Sequence, residues 1–145
     1  MGTILGGGCG LQSLACDERL KFGIIESAFS DFESVVHDYF KLFLGFDCPF
    51  ITDYLIWRAG QAAGFDPEEV VPARCARQIH QPIFMVHGKR DNRIKWQYAK
   101  TNYDALASRD KTFITYPEAT HFNIRKVGGE DYFRQVEHFL ERQLN

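Results

Sequence analysis

Two short polar stretches of this 145-residue chain hold the side chains with the greatest capacity for chemistry. His87-Gly88-Lys89-Arg90-Asp91 closes one apolar run, and Glu118-Ala119-Thr120-His121-Phe122-Asn123 follows another. A carboxylate placed against an imidazole fixes the ring's tautomer and stabilises its charged form, and the imidazole then serves as general base for a nucleophile. Asp91 and His121 would make that pair if the strands before them lie side by side. The same residue types have plainer uses: Asp91 as a turn residue capping the next helix, His121 as a buried, hydrogen-bonded ring. His87, at a strand end, is read as a structural residue that holds the turn. Lys89 and Arg90 read as a solvated loop, and His37, His80 and His138 have no acidic or Cys partner at ligand spacing.

The elements that must position this pair are legible from periodicity. Pro82 to Gly88 is an uninterrupted apolar run opened by Pro and closed by Gly, the pattern of a strand in the middle of a parallel sheet. Phe22 to Ile25 and Thr112 to Tyr116 read as two further strands, the last stopped by Pro117. A Gly-rich turn at Gly6 to Gly8 runs into a short buried helix over Cys9 to Ala15. Apolar residues recur at three and four from Phe32 to Phe46, predicting an amphipathic helix capped by Ser30 or Asp31 and ended by Gly45. A second helix is predicted over Ile51 to Ala63. These two interrupt the strand order, so residues 32–63 read as a helical cap, with Phe40, Phe43, Tyr54 and Trp57 available to line an apolar pocket. Gly64 to Pro72 is the nearest thing to a boundary. Trp96 to Leu106 and Glu130 to Leu144 complete the helices, and the alternation implies α/β layering with right-handed crossovers.

In order and spacing these segments resemble the α/β-hydrolase superfamily, in particular its serine aminopeptidase-like and esterase-like members. Pro82 to Asp91 is similar to the strand and loop that end in the triad Asp, and Tyr116 to Asn123 to the loop that carries the triad His. Glu26 to Phe32 resembles the segment that leads from the preceding strand into the cap. The resemblance implies catalytic roles for Asp91 and His121, cleavage of an ester or amide (peptide) bond by a serine-hydrolase mechanism, and no cofactor. It also marks a departure. The family's nucleophile elbow is G-x-S-x-G, and the matching stretch is Gly2-Thr3-Ile4-Leu5-Gly6, with Ile4 at the Ser position. An aliphatic side chain has no lone pair to attack with. Thr3 is one residue off the apex, Ser13 lies well into the following helix, and Leu5 is left as an oxyanion-hole N–H. The expectation is a partial α/β-hydrolase domain over residues 1–145, the C-terminal portion of the fold, with about three parallel strands, flanking helices and a helical cap. Alone it would be inactive, with an apolar strand edge that an N-terminal half or another chain completes. The alternatives are a non-catalytic binding or assembly module and a gene fragment.

Composition bounds the rest. Hydrophobic residues make up 45% of the chain and charged residues 25%, a globular balance. With 17 Lys+Arg against 19 Asp+Glu the net charge is −2, which offers no field to nucleic acid. No apolar run approaches the roughly 20 residues of a membrane span. Cys9, Cys16, Cys48 and Cys75 form no C-x-x-C pair and lack His at zinc spacing, so they read as reduced thiols of a cytoplasmic protein without a metal. No dinucleotide fingerprint or phosphate loop is present: Leu11 stands where the former needs its third Gly, and no Lys precedes Lys21.

Overall fold

The computed structural model describes residues 6–144. Three parallel strands form one sheet in the order β1 (Gly23–Glu26), β2 (Ile83–Gly88), β3 (Lys111–Tyr116). The register pairs Gly23 with Ile83 and Ile83 with Lys111, so the C-terminal ends of β2 and β3 finish level at Gly88 and Tyr116. β2 is buried at all six positions, because both faces of the sheet are covered. Ile83 and Met85 point into a layer with Leu11 and Leu14 of α1 (Gly6–Cys16), Ala76 of α4 (Pro72–Ala76), and Ala99 and Leu106 at α5 (Trp96–Ala105). Phe84 and Val86 point the other way, into a layer with Ile124, Tyr132 and Phe139 of α6 (Ile124–Leu144). The two-residue period of a strand thus distributes one apolar run between two cores.

Several boundaries differ from the sequence reading, each for a local reason. β1 starts at Gly23, whose N–H takes the Pro82 carbonyl at 2.9 Å, while Phe22 turns its ring edge-on to Phe139. α6 begins at Ile124 rather than Glu130 and is broken at Gly129 (φ 50°, ψ −136°), a conformation glycine adopts without a Cβ penalty. Charged Arg125 and Lys126 hide this first turn from a search for apolar periodicity. α1 is longer than expected by three residues at its start.

The two helices that interrupt the strand order are α2 (Phe32–Leu44) and α3 (Pro49–Ala63). Asp31, not Ser30, caps α2, accepting from the Ser34 N–H at 2.8 Å, and Gly45 ends it in the left-handed region. α3 starts two residues before Ile51 because Pro49 is pre-set for the first turn of a helix. Phe29, Val35 and Ile94 form a third core cluster, with Phe32, Val36 and Tyr39 packed on it. α3 is joined to the rest chiefly through a narrow stripe of Thr52, Ile56 and Gly60. A 3₁₀ turn, Pro67–Glu69, occupies the middle of the segment that reads as a boundary, and α4 begins at its last residue, Pro72. The four cysteines are unpaired. No helix among the described residues is long and apolar enough to cross a membrane.

Candidate active site

The loops after β2 and β3 are locked together before any side chain is considered. Lys89 N–H reaches the Tyr116 carbonyl at 3.0 Å and Arg90 N–H the Ala119 carbonyl at 2.9 Å. A Cβ on Gly88 would meet the Ala119 carbonyl oxygen at 2.4 Å, so only glycine lets the strand end press against the next loop. Asn123 then closes the β3 loop by accepting from the Thr120 N–H at 2.7 Å.

This backbone brings Asp91 and His121 together. His121 Nδ1 lies 2.7 Å from Asp91 Oδ2, with both side chains almost wholly buried. A carboxylate only accepts, so Nδ1 carries the proton and Nε2 is left as the basic nitrogen. The other carboxylate oxygen is also occupied: Oδ1 accepts from the Arg93 and Ile94 N–H groups, each at 2.9 Å. Burial by itself would push the Asp91 carboxyl up. Hydrogen bonds from His121, His87 and the Ile94 N–H outweigh that and hold it far below the ordinary carboxylate range. The carboxylate is therefore charged and immobile beneath the imidazole.

Beside the pair lies an apolar cavity of about 380 Å³ lined by Phe29, Phe32, Val35, Val36, Tyr39, Arg93 and Ile94. Arg93 supplies its charged rim, its guanidinium over the rings of Phe122, next to His121, and Phe43 on α2. The aromatic residues expected to line a pocket are mostly elsewhere. Tyr54, Trp57 and Phe43 are more than half exposed, and it is Phe29, Phe32 and Tyr39 that face the cavity.

Other members of the site were not singled out by sequence reasoning. Arg125 binds Glu26 at the end of β1 through two bonds, 3.0 and 2.9 Å, and Tyr132 donates to the same carboxylate. This clamp ties the start of α6, and with it the His121 loop, to the far strand; about a hundred residues of separation left no signal for it. His37, expected to lack partners, has two: its Nδ1 faces Asp47 and its Nε2 lies 2.9 Å from Asp53. His80 and His138 are exposed, as is Ser13 on α1. Ile4 and Leu5, at the expected nucleophile and oxyanion positions, lie outside the described residues, as does Thr3. Among the described residues no group of His, Cys, Asp and Glu is placed to hold a metal ion.

Residues 11–145 match the prolyl oligopeptidase family. The chain belongs to that family. No curated relative matches it in sequence. Among solved structures it is similar to an esterase of Pyrococcus furiosus, with a TM-score of 0.71 and 16% identity over 96% of this chain and 51% of that one. It is also similar to the acylaminoacyl peptidase of Pyrococcus horikoshii (0.70, 17%, 95% and 22%). A third likeness is to acetyl xylan esterase 1 of Thermoanaerobacterium sp. (0.65, 23%, 97% and 44%). At these identities the likeness is one of fold, and it is the α/β-hydrolase arrangement of parallel strands and flanking helices that the sequence resemblance implies. The chain spans about half the length of the matched esterases, and less than a quarter of the peptidase.

Proposed function

We propose that this chain carries the base half of a serine-hydrolase site acting on an ester or amide bond. Asp91 holds the His121 ring in the Nδ1–H tautomer and stabilises its cation. His121 Nε2 takes the proton of a hydroxyl nucleophile and returns it to the leaving group. The 2.7 Å Nδ1 to Oδ2 contact, buried at the ends of adjacent parallel strands, carries this reading. The cavity of about 380 Å³ would take an apolar acyl or side-chain group, with residues 32–63 as the cap above it. Family membership supports hydrolase chemistry in general, and the substrate is read as a small ester, an amide or a peptide.

Ile4 at the elbow position makes the chain inactive as it stands. With a nitrophenyl ester it gives no burst of acyl-enzyme, and Ile4→Ser introduces labelling by a fluorophosphonate probe that a further His121→Ala abolishes. Robust turnover by the unmodified chain, lost in His121→Ala, would refute the inactivity.

The second reading, a non-catalytic binding or assembly module, rests on the edge of β1. Ladder bonds from Gly23 and Ser27 run to β2, so the alternating peptide groups of Ile24 and Glu26 face the other side, where no strand pairs among the described residues. A partner segment adding a strand there would complete the sheet. Size-exclusion chromatography separates the readings: a clean, well-folded monomer argues against obligatory completion.

A further inference from the structure

Asp91 has a second histidine beneath it. His87 is fully buried on β2, four residues before Asp91. Its Nε2 sits 2.8 Å from the Ile94 carbonyl and 3.3 Å from Asp91 Oδ2, the oxygen that also receives His121. Both of those partners only accept, so Nε2 must carry the proton. His87 Nδ1 is buried with no partner among the described residues. A proton there would find no acceptor, so the hydrogen-bond pattern fits the Nε2–H tautomer.

We propose that His87 is a positioning residue for the Asp91–His121 pair. It acts by two routes from one N–H. The stronger bond holds the Ile94 carbonyl, and so fixes the turn whose Arg93 and Ile94 N–H groups grip Asp91 Oδ1. The second is a contact rather than a full hydrogen bond: Nε2 lies 3.3 Å from Oδ2, so the positive N–H edge of the ring faces the oxygen that also receives His121. Without His87 the carboxylate keeps its charge but loses the anchor of its turn, and His121 loses a fixed acceptor. The inference rests on the proposed role of the pair, yet its test needs no turnover.

The test follows the His121 Nδ1–H proton by NMR in the full chain labelled with ¹⁵N, beside circular dichroism as a check of folding. The unmodified chain shows a slowly exchanging low-field signal. In His87→Leu the signal broadens away, or exchanges about tenfold faster, the scale of one lost hydrogen bond. His87→Gln, whose amide can donate to both Ile94 O and Asp91 Oδ2, restores it; His87→Asn, whose amide is one bond shorter, does not. Should the Leu variant fail to fold, the contrast between Gln and Asn decides. A folded Leu variant with an unaltered signal, or identical exchange in Gln and Asn, overturns the proposal and leaves the pair standing. No signal in the unmodified chain overturns the pair and the proposed function with it.

Discussion

The strand ends and the α2–α3 hairpin spend their aromatic and polar residues in opposite ways. In the sheet Phe84 is 1% exposed, and at the strand ends Asp91 uses both carboxylate oxygens and backbone bonds stitch one loop to the next. On the hairpin Phe50 is 88% exposed, and Phe46, Tyr54 and Trp57 are more than half exposed. There α3 buries only the Thr52, Ile56 and Gly60 stripe, Gly60 against Phe65 and Pro67, and a clamp of His37 between Asp47 and Asp53 ties it to α2. Apolar residue type therefore does not locate a core. Enclosure by two layers does, and only the sheet has both.

Truncating one aromatic side chain in each region separates the two most strongly. Phe84→Ala should cost about 3–5 kcal/mol, because it removes a packed ring and leaves a cavity. Phe50→Ala should fall within about 0.5 kcal/mol, the usual range for exposed positions. Urea unfolding of both variants measures the pair, and equal losses would mean that the hairpin is covered in solution.

Asp91→Asn comes next, with an expected loss of about 1.5–3 kcal/mol at neutral pH, since the hydrogen bonds it breaks are made to a charged group. The sign of the pH dependence follows from the depressed folded value of Asp91. Its contribution is present above the unfolded carboxyl value of about 3.9 and is lost as pH falls from there toward the folded value. The Asn variant should therefore show a flatter acid limb in stability measured against pH.

The hairpin clamp titrates in the opposite sense, and with a smaller effect. Both ring nitrogens of His37 face carboxylate oxygens, an arrangement that satisfies every group only when the ring is an imidazolium. Desolvation pulls its pKa down, but bonds and charges from Asp47 and Asp53 more than offset that and leave it raised. Stability from this group is complete below the unfolded value of about 6.5 and is lost as pH rises through the folded one. Hydrogen exchange of α3 amides, corrected for intrinsic rates, should speed up across that window relative to β2. Asp53→Asn should weaken the response, and an α3 that tracks β2 at every pH would dissolve the distinction between the regions.

Much of the strand framework was legible because its signals are local. The Pro82 to Gly88 run announces a central strand, Gly45 and Gly64 end their helices, and the two loops carry Asp91 and His121 at positions where parallel strands place reactive groups. The start of α6 was not legible, since its first turn is charged and broken by Gly129. Nor was the cavity lining: periodicity marks Phe40, Phe43 and Tyr39 as one face of α2, and only docking on Phe29 and Ile94 selects Tyr39. His37 looked unpartnered because Asp47 lies beyond a helix end and Asp53 on the next helix.

Residue types, the order of elements and the candidate pair are readable from the chain, because they depend on neighbours within a few turns. Tertiary structure alone decided that β2 and β3 lie side by side with level ends, that Gly88 lets their loops touch, and that Asp91 is held from above by His121 and from beneath by His87. Asp91 is gripped by its own turn, through Arg93, Ile94 and His87, but the thirty-residue contact to His121 leaves no periodic trace, and it is that contact which turns a carboxylate and an imidazole into a pair.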